Sequence, residues 1–201
     1  MADYLEQIRE KRRENGVLVK KPIDWYLEEI KQLGFIGTTK KEKFLLEGKN
    51  VGREMDRENW GGLYIFKYSP KHKDTLPYYD VFPLVLPLEF YEDGFLGINF
   101  HYLSIPIRIM FLERLSRYAT GPIDVENKKS KFLVDYNKLN RGRTGKILRP
   151  CVKKYLREKF RSPVRKIDSV DWTTAILLPV QRFRKARESR VWYDSRKAIF
   201  K

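Results

Sequence analysis

The chain is short of the side chains on which most enzymes and most secreted proteins rely. Its 201 residues include one cysteine, Cys151, and two histidines, His72 and His101. A single cysteine forms no internal disulfide, which favours a reducing compartment over secretion. A zinc ion would need these three side chains and a carboxylate at spacings that zinc motifs do not use. The sequence thus argues against a disulfide scaffold and against a zinc centre.

Long apolar runs are also missing. No stretch approaches the ~18 uninterrupted apolar residues that a membrane span needs. The first residues, MADYLEQIR, lack the apolar core of a secretory signal. We therefore expect no membrane partner and a location in the cytoplasm in which the chain is made.

Catalytic motifs are absent as well. The sequence contains neither the glycine-rich phosphate loop that ends in Gly-Lys-Ser/Thr nor the Gly-x-Ser-x-Gly turn of serine hydrolases. A magnesium-dependent nuclease needs two or three clustered carboxylates, and the candidates are Asp80 and Glu89 beside one predicted strand. We expect no catalytic residue, no metal ion, no cofactor and no small-molecule substrate, and keep a metal nuclease as an alternative.

Acidic residues become scarce in the second half of the chain. Residues 1–100 carry 16 Lys/Arg against 17 Asp/Glu, whereas residues 101–201 carry 26 against 9, so the second half holds the whole net charge of +16. Residues 128–166 contain 15 basic side chains and two acidic ones, Asp135 and Glu158. This concentration favours a polyanionic partner, and nucleic acid is the usual polyanion inside a cell. The alternative is a solvated face that only improves solubility.

The predicted DNA contacts lie in this basic segment. The glycines of residues 140–146 (NRGRTGK) allow a backbone to approach a phosphate closely. A helix over residues 150–160 would place Lys153 and Arg157 on one face and its N-terminus towards an anion. No helix-turn-helix, zinc finger or RNA-recognition motif is present, so we expect sequence-independent contact with the phosphates of double-stranded DNA. The predicted DNA-binding residues are Lys128, Lys129, Lys131, Arg141, Arg143, Lys146, Arg149, Lys153, Lys154, Arg157, Arg161, Arg165 and Lys166.

Apolar residues make up 42% of the chain and aromatic residues 14%, which predicts a folded core. Three helices are predicted near the N-terminus: over residues 3–15, between Pro22 and Gly34, and after Thr39, which forms a capping box with Glu42. Residues 49–60 have few apolar side chains and predict a linker.

The middle of the chain predicts a sheet. Residues 63–68, 84–91 and 95–102 are rich in β-branched and aromatic side chains. Asp93-Gly94 between the last two runs indicates a hairpin in which the glycine takes a positive φ. Pro83 and Pro87 place the second strand at an edge of the sheet or at a bulge.

The second half predicts mainly helices. A helix follows Ser104, short helices cover residues 130–139 and 150–160, and another runs from Ser169 to Leu178. A brief strand covers residues 164–167, and the aromatic tail after residue 186 docks on the core.

These elements predict an α+β fold: a small antiparallel sheet with packed helices and helical N- and C-terminal extensions. Residues 1–58 form the N-terminal helical extension. Residues 59–201 form the α+β core, with the basic DNA-binding segment 128–166 and the docked tail.

Several strings of this sequence resemble a known family. They are LYIFKYSPKHKDTLPYYDVFP at residues 63–83, DGFLGINFHYL at 93–103, RPCVKKY at 149–155 and VWYDS at 191–195. They are similar to the DNA end protector (head completion) proteins of T-even-like contractile-tailed phages. The N-terminal helices do not take part in the resemblance, and it carries over no catalytic residue.

The resemblance implies a protein packaged in the virion, and present in the host cytoplasm during assembly. It implies protection of the genome ends from exonuclease and completion of the head for tail joining. The expected protein partners are portal, neck or tail subunits. The alternative is a structural virion component, such as a neck, tail or baseplate subunit, whose basic surface meets acidic partner subunits.

Overall fold

The computed structural model describes residues 4–14, 21–52, 62–119 and 149–199. The helices in these ranges are α1 (Tyr4–Glu14), α2 (Ile23–Gly34), α3 (Thr38–Leu46), α4 (Ile105–Ala119), α5 (Trp172–Leu177) and α6 (Glu188–Ile199). The strands are β1 (Lys49–Gly52), β2 (Leu63–Ile65), β3 (Tyr79–Asp80), β4 (Leu84–Tyr91), β5 (Gly94–Asn99), β6 (Val152–Leu156), β7 (Val164–Ile167) and β8 (Phe183–Arg184).

Six strands form one sheet in the order β1-β7-β2-β4-β5-β6, and β3 pairs with β8 in a separate two-stranded sheet. Neighbouring strands of the large sheet are antiparallel. Helices pack on this sheet, so the predicted α+β fold is confirmed. Of the helices in the described ranges, none has both the length and the apolarity of a membrane-spanning segment.

Both faces of the sheet are covered. The first face carries Leu63, Leu86 and Ile98 and packs against the helices in the larger core cluster. The second face carries a mostly aromatic cluster of Tyr64, Phe66, Tyr68, Val85, Phe95, Tyr155, Phe160 and Val164. Alternation along each strand sends successive side chains to opposite faces, which explains the two clusters.

The N-terminal helices occur where the sequence predicts them, and Leu5 and Ile8 of α1 are buried in the larger cluster. The capping box is wrong: α3 begins after Gly37, and no side chain caps it. The linker is also wrong at its start, because β1 pairs with β7 at an edge of the sheet. Its polar residues suit an edge strand, which is largely solvated. The boundary between residues 58 and 59 lies outside the described residues and stays a prediction.

The hairpin of β4 and β5 is confirmed, but the reason for its glycine is different. Among the described glycines only Gly52 has a positive φ. A Cβ on Gly94 would lie 1.9 Å from the carbonyl oxygen of Tyr155, so Gly94 is required by the close approach of β6. β5 ends at Asn99, whose side chain accepts a bond from the His101 N–H and starts a 3₁₀ turn over Phe100–Tyr102.

The remaining strands differ in detail. β2 is shorter than predicted and ends at Ile65. β4 lies inside the sheet and is not an edge strand, but it has the predicted irregularity, between Pro87 and Glu89.

The predicted helix over residues 150–160 is wrong. A 3₁₀ turn over Arg149–Cys151 leads into strand β6, and a second turn covers Arg157–Lys159. β6 closes the open edge of β5, and its Tyr155 is buried in the aromatic cluster. Pairing with the sheet thus outweighs the helical spacing of the lysines.

Helix α4, strand β7 and helix α5 are confirmed, and the tail forms helix α6. Trp192 of α6 donates its indole N–H to the His101 carbonyl oxygen at 2.9 Å, and Val191 is fully buried. The predicted helix over residues 130–139 lies outside the described residues.

Candidate nucleic-acid interface

The structure describes seven of the thirteen predicted DNA-binding residues. The other six, Lys128, Lys129, Lys131, Arg141, Arg143 and Lys146, lie outside the described residues, as does the 140–146 loop. Arg149 is exposed in the turn that precedes β6.

Two neighbouring lysines on β6 have different surroundings. Lys153 pairs with Gly97 across the sheet and shares the second face with Tyr155. Its ammonium lies 4.5 Å from the centroid of the Tyr102 ring. Lys154 points to the other side, is exposed, and forms an ion pair with Asp93 at 2.8 Å. Lys153 is therefore the cation of this strand that is available to an anion on the second face.

The chain from β6 to β7 runs beside the second face. Phe160 packs onto the aromatic cluster, with its ring centroid 4.7 Å from that of Phe66. On either side of it are Arg157, which is half-buried, and Arg161, which is exposed and donates its backbone N–H to the Lys67 carbonyl oxygen at 2.8 Å.

The last two predicted residues are neighbours on β7. Alternation places Lys166 on the second face with Val164, and Arg165 on the first face with Ile167. β7 and β6 are separated by three strands, hence by about 19 Å at the usual strand spacing.

The described residues of the predicted set therefore do not form one helical stripe. Lys153 and Lys166 lie on the second face, Arg157 and Arg161 lie in the segment that carries Phe160 between β6 and β7, and we call these four residues the second-face band. Lys154 and Arg165 face the other way on their strands. Spaced cations along a face are suited to contact several phosphates of a nucleic-acid backbone.

Two cations between residues 182 and 187 stabilise the fold. Arg182 forms an ion pair with Glu42 of α3. Lys185 donates to the carbonyl oxygens of Asp74 and Leu76 at 2.7 and 3.1 Å. The two bonds from Lys185 fix the loop of residues 70–78 against the turn that follows β8.

Beneath that loop lies a cleft of about 360 Å³ that the sequence did not predict. We call it the tyrosine cleft. Its lining includes Tyr68, Tyr78, Tyr79, Tyr102, Tyr155, Lys71, His72, Lys153 and Lys154. The only sign of this cleft in the sequence is the density of tyrosine and lysine in residues 63–79. The lining residues from β6 lie more than 70 positions further along the chain, so no local pattern connects them to this segment.

Asp80, one of the two candidate nuclease carboxylates, is buried in a hydrogen-bonded network. It accepts bonds from His101 Nδ1 at 2.7 Å, Asn99 Nδ2 at 3.1 Å and the Phe82 N–H at 3.0 Å. Burial alone would raise the pKa of Asp80, but the contact with His101 and these bonds outweigh it and lower that pKa. Burial lowers the pKa of His101, so a neutral ring donates to an ionised carboxylate. The network therefore supplies hydrogen-bond partners for the buried carboxylate of Asp80 within the fold.

Arg108 of α4 extends this network and is fully buried. Its guanidinium donates to the carbonyl oxygens of Leu103, Ile176 and His101 at 2.9, 3.1 and 3.2 Å. Burial lowers the pKa of Arg108 to about 10, which still leaves it charged at neutral pH. The side chain joins α4, α5 and the turn after β5.

Glu89, the other candidate carboxylate, is exposed on β4 and accepts a bond from the Tyr91 hydroxyl at 2.5 Å. Over the ranges that the structure describes, no three His, Cys, Asp or Glu side chains come together to hold a metal ion.

Comparison with known proteins identifies one family. The family described as phage T4 terminal DNA protecting protein matches residues 1–200. Searches of curated proteins and of solved structures found no match. The match includes the N-terminal helices, which the resembling strings did not cover. The chain therefore belongs to the phage T4 terminal DNA protecting protein family.

Proposed function

We propose that this protein caps the ends of the packaged phage genome by binding duplex DNA without sequence preference. The observation that carries the proposal is the family match over residues 1–200. The concentration of positive charge in residues 101–201 supports it, because a cationic surface binds the phosphates of any sequence. The contacts that we propose are the second-face band and the cations of residues 128–146.

Protection in this proposal is steric. A DNA terminus that is covered by protein cannot enter the channel of an exonuclease, so no bond is made or broken. Two observations support a role without catalysis: the oxygens of Asp80 are occupied by its network, and Glu89 is exposed and accepts a bond from the Tyr91 hydroxyl. The proposed location is the virion, with the host cytoplasm as the place of assembly.

We further propose that the bound protein helps to complete the filled head for tail joining, in contact with portal, neck or tail subunits. The alternative is a structural neck, tail or baseplate subunit whose basic surface meets acidic partners. The net charge of +16 is compatible with either partner, so the two functions are separated by experiment.

The decisive experiment mixes the pure protein with linear duplex DNA and adds an exonuclease. We expect the DNA to be shielded and to be recovered intact after the protein is removed. Magnesium should act only through salt screening. Glu89→Gln should shield as the wild type does, and Asp80→Asn should do so wherever circular dichroism shows that the variant is folded.

Two results would contradict the proposal in different ways. Magnesium-dependent nicking by the pure protein that is lost in Glu89→Gln or Asp80→Asn would identify a nuclease. Normal DNA binding without any shielding of ends would instead favour the structural virion role.

A further inference from the structure

The walls of the tyrosine cleft are held in place by bonds from distant residues. One wall is the 70–78 loop, which Lys185 fixes through two backbone carbonyl oxygens. The end of that loop is held by the pairing of β3 with β8, in which Tyr79 lies opposite Arg184. The other wall is strand β6 of the large sheet. The cleft is thus built before any ligand arrives.

A half-buried cation lies at the cleft without an acidic partner. Lys153 contacts the Tyr102 ring, and no carboxylate of the described residues lies within ion-pair distance of its ammonium. Its neighbour Lys154 has such a partner in Asp93. Burial lowers the pKa of Lys153, which reflects the cost of keeping this charge partly away from water. An anion in the cleft would offset that cost.

Aromatic rings lie next to this cation. The ring centroids of Tyr78 and Tyr102 are 6.1 Å apart, and both rings line the cleft. Tyrosine rings are the surfaces on which unpaired bases stack, whatever the base. Asp80 also lines the cleft, but its oxygens are occupied by His101, Asn99 and the Phe82 N–H.

We propose that the tyrosine cleft binds the terminal nucleotide of a DNA strand, with its base against the tyrosine rings and its phosphate beside Lys153. The volume of about 360 Å³ is at the small end of the range for ligand pockets, ~300–1,000 Å³, and suits one nucleotide but no duplex. A strand end supplies an unpaired base at the least cost of unstacking. This inference rests on the proposed function and adds that the protein prefers the ends of DNA strands to internal duplex.

The test uses the full chain and two DNAs of equal length: a linear duplex with a one-nucleotide overhang and a 5′-phosphate, and a dumbbell closed at both ends. We expect tighter binding of the linear duplex. Lys153→Met should reduce that preference about tenfold, because a bond to a charged group is lost. The matched control is Lys159→Met, which removes the same charge from a half-buried lysine that does not line the cleft and should affect both DNAs equally.

A fluorescent base analogue, 2-aminopurine, gives a second readout. Placed at the terminal position, its emission should change when the wild type or Lys159→Met binds, and should change little with Lys153→Met. Placed in the interior of the duplex, it should respond alike in all three proteins. Tyr78→Leu, which keeps bulk and removes the ring, should abolish the terminal signal.

The possible failures are distinguishable. Equal binding of linear and dumbbell DNA, with intact shielding from exonuclease and no terminal signal, would overturn the cleft proposal and leave the proposed function standing. Absence of binding to either DNA would overturn both. Lys153-dependent binding of free deoxyadenosine monophosphate, measured by tryptophan and tyrosine fluorescence without any preference for DNA ends, would assign the cleft to a free nucleotide and overturn the strand-end proposal.

Discussion

His101 has a structural role that its neighbours in the sequence do not indicate. In the sequence it stands near Asn99 and Asp93 in a predicted strand, but in the fold it is fully buried and bonded to Asp80. Arg108 and Trp192 both donate to its backbone carbonyl oxygen. The groups that bond to its ring and its carbonyl oxygen therefore come from three separate parts of the chain, β3, α4 and α6.

The buried histidine predicts an acid sensitivity of the fold. Burial lowers the pKa of His101 below the ordinary value of 6.5, so the unfolded chain takes up a proton at a pH at which the folded chain does not. Stability is therefore lost as pH falls below about 6.5, by up to ~1.4 kcal/mol per pH unit. Urea unfolding of the wild type at several pH values should show this slope.

The variant and its control separate this effect from general acid denaturation. His101→Asn keeps a donor for Asp80 but does not titrate, so its free energy of unfolding should depend less on pH in this window. His72→Asn, at an exposed position of the 70–78 loop, should keep the slope of the wild type. Equal slopes in the wild type and His101→Asn would show that His101 is not the source.

At the scale of elements, the β4–β5 hairpin is fixed by its neighbour more than by its own turn. Gly94→Ala should destabilise the protein by about 1–3 kcal/mol, because the new methyl group would meet the Tyr155 carbonyl oxygen and push β6 away. Urea unfolding measures the change. Gly34→Ala is the control, since nothing lies within 4 Å of a Cβ at the end of α2. Its stability should stay within about 0.5 kcal/mol of the wild type or rise. Equal effects of the two substitutions would contradict the close approach of β6.

β6 also shows why a pattern of lysines was misleading. The spacing of Lys153 and Arg157 is that of a helix face, but Tyr155 between them fills the aromatic cluster and the strand closes an edge of β5. Local spacing is a weak preference, whereas an unpaired sheet edge leaves a row of backbone groups without partners.

At the scale of the whole molecule, the uneven charge predicts salt-sensitive DNA binding. The triple variant Arg141→Ala, Arg143→Ala and Lys146→Ala should flatten the slope of log binding constant against log salt by about two to three units, because each lost phosphate contact removes ~0.9. A gel shift or an anisotropy titration over a range of salt concentrations measures the slope.

A control with the same loss of charge keeps this prediction specific. Arg13, Lys40 and Lys43 are exposed on α1 and α3, and their replacement by alanine lowers the net charge by the same amount. This control should change the slope much less than the loop variant does. If both variants bind with the same slope, the 140–146 loop makes no special contact with DNA.

The sequence by itself determined the charge asymmetry, most of the helices and the β4–β5 hairpin. These depend on composition and on neighbours within a few residues, such as the apolar pair of Leu5 and Ile8 or the apolar runs over residues 84–91 and 95–102. The resemblance carried by residues 63–83 and 93–103 also indicated the family, because such strings are read directly from the chain.

Only the tertiary structure decided how distant segments meet. It brought Lys153 to the 70–78 loop, closed β5 with β6, and gave β1 a partner in β7. It also turned Asp80 from a candidate metal ligand into the acceptor of a buried network. Each of these outcomes depends on pairing between residues that are tens of positions apart, and sheet pairing is non-local, so no short pattern in the sequence specifies it.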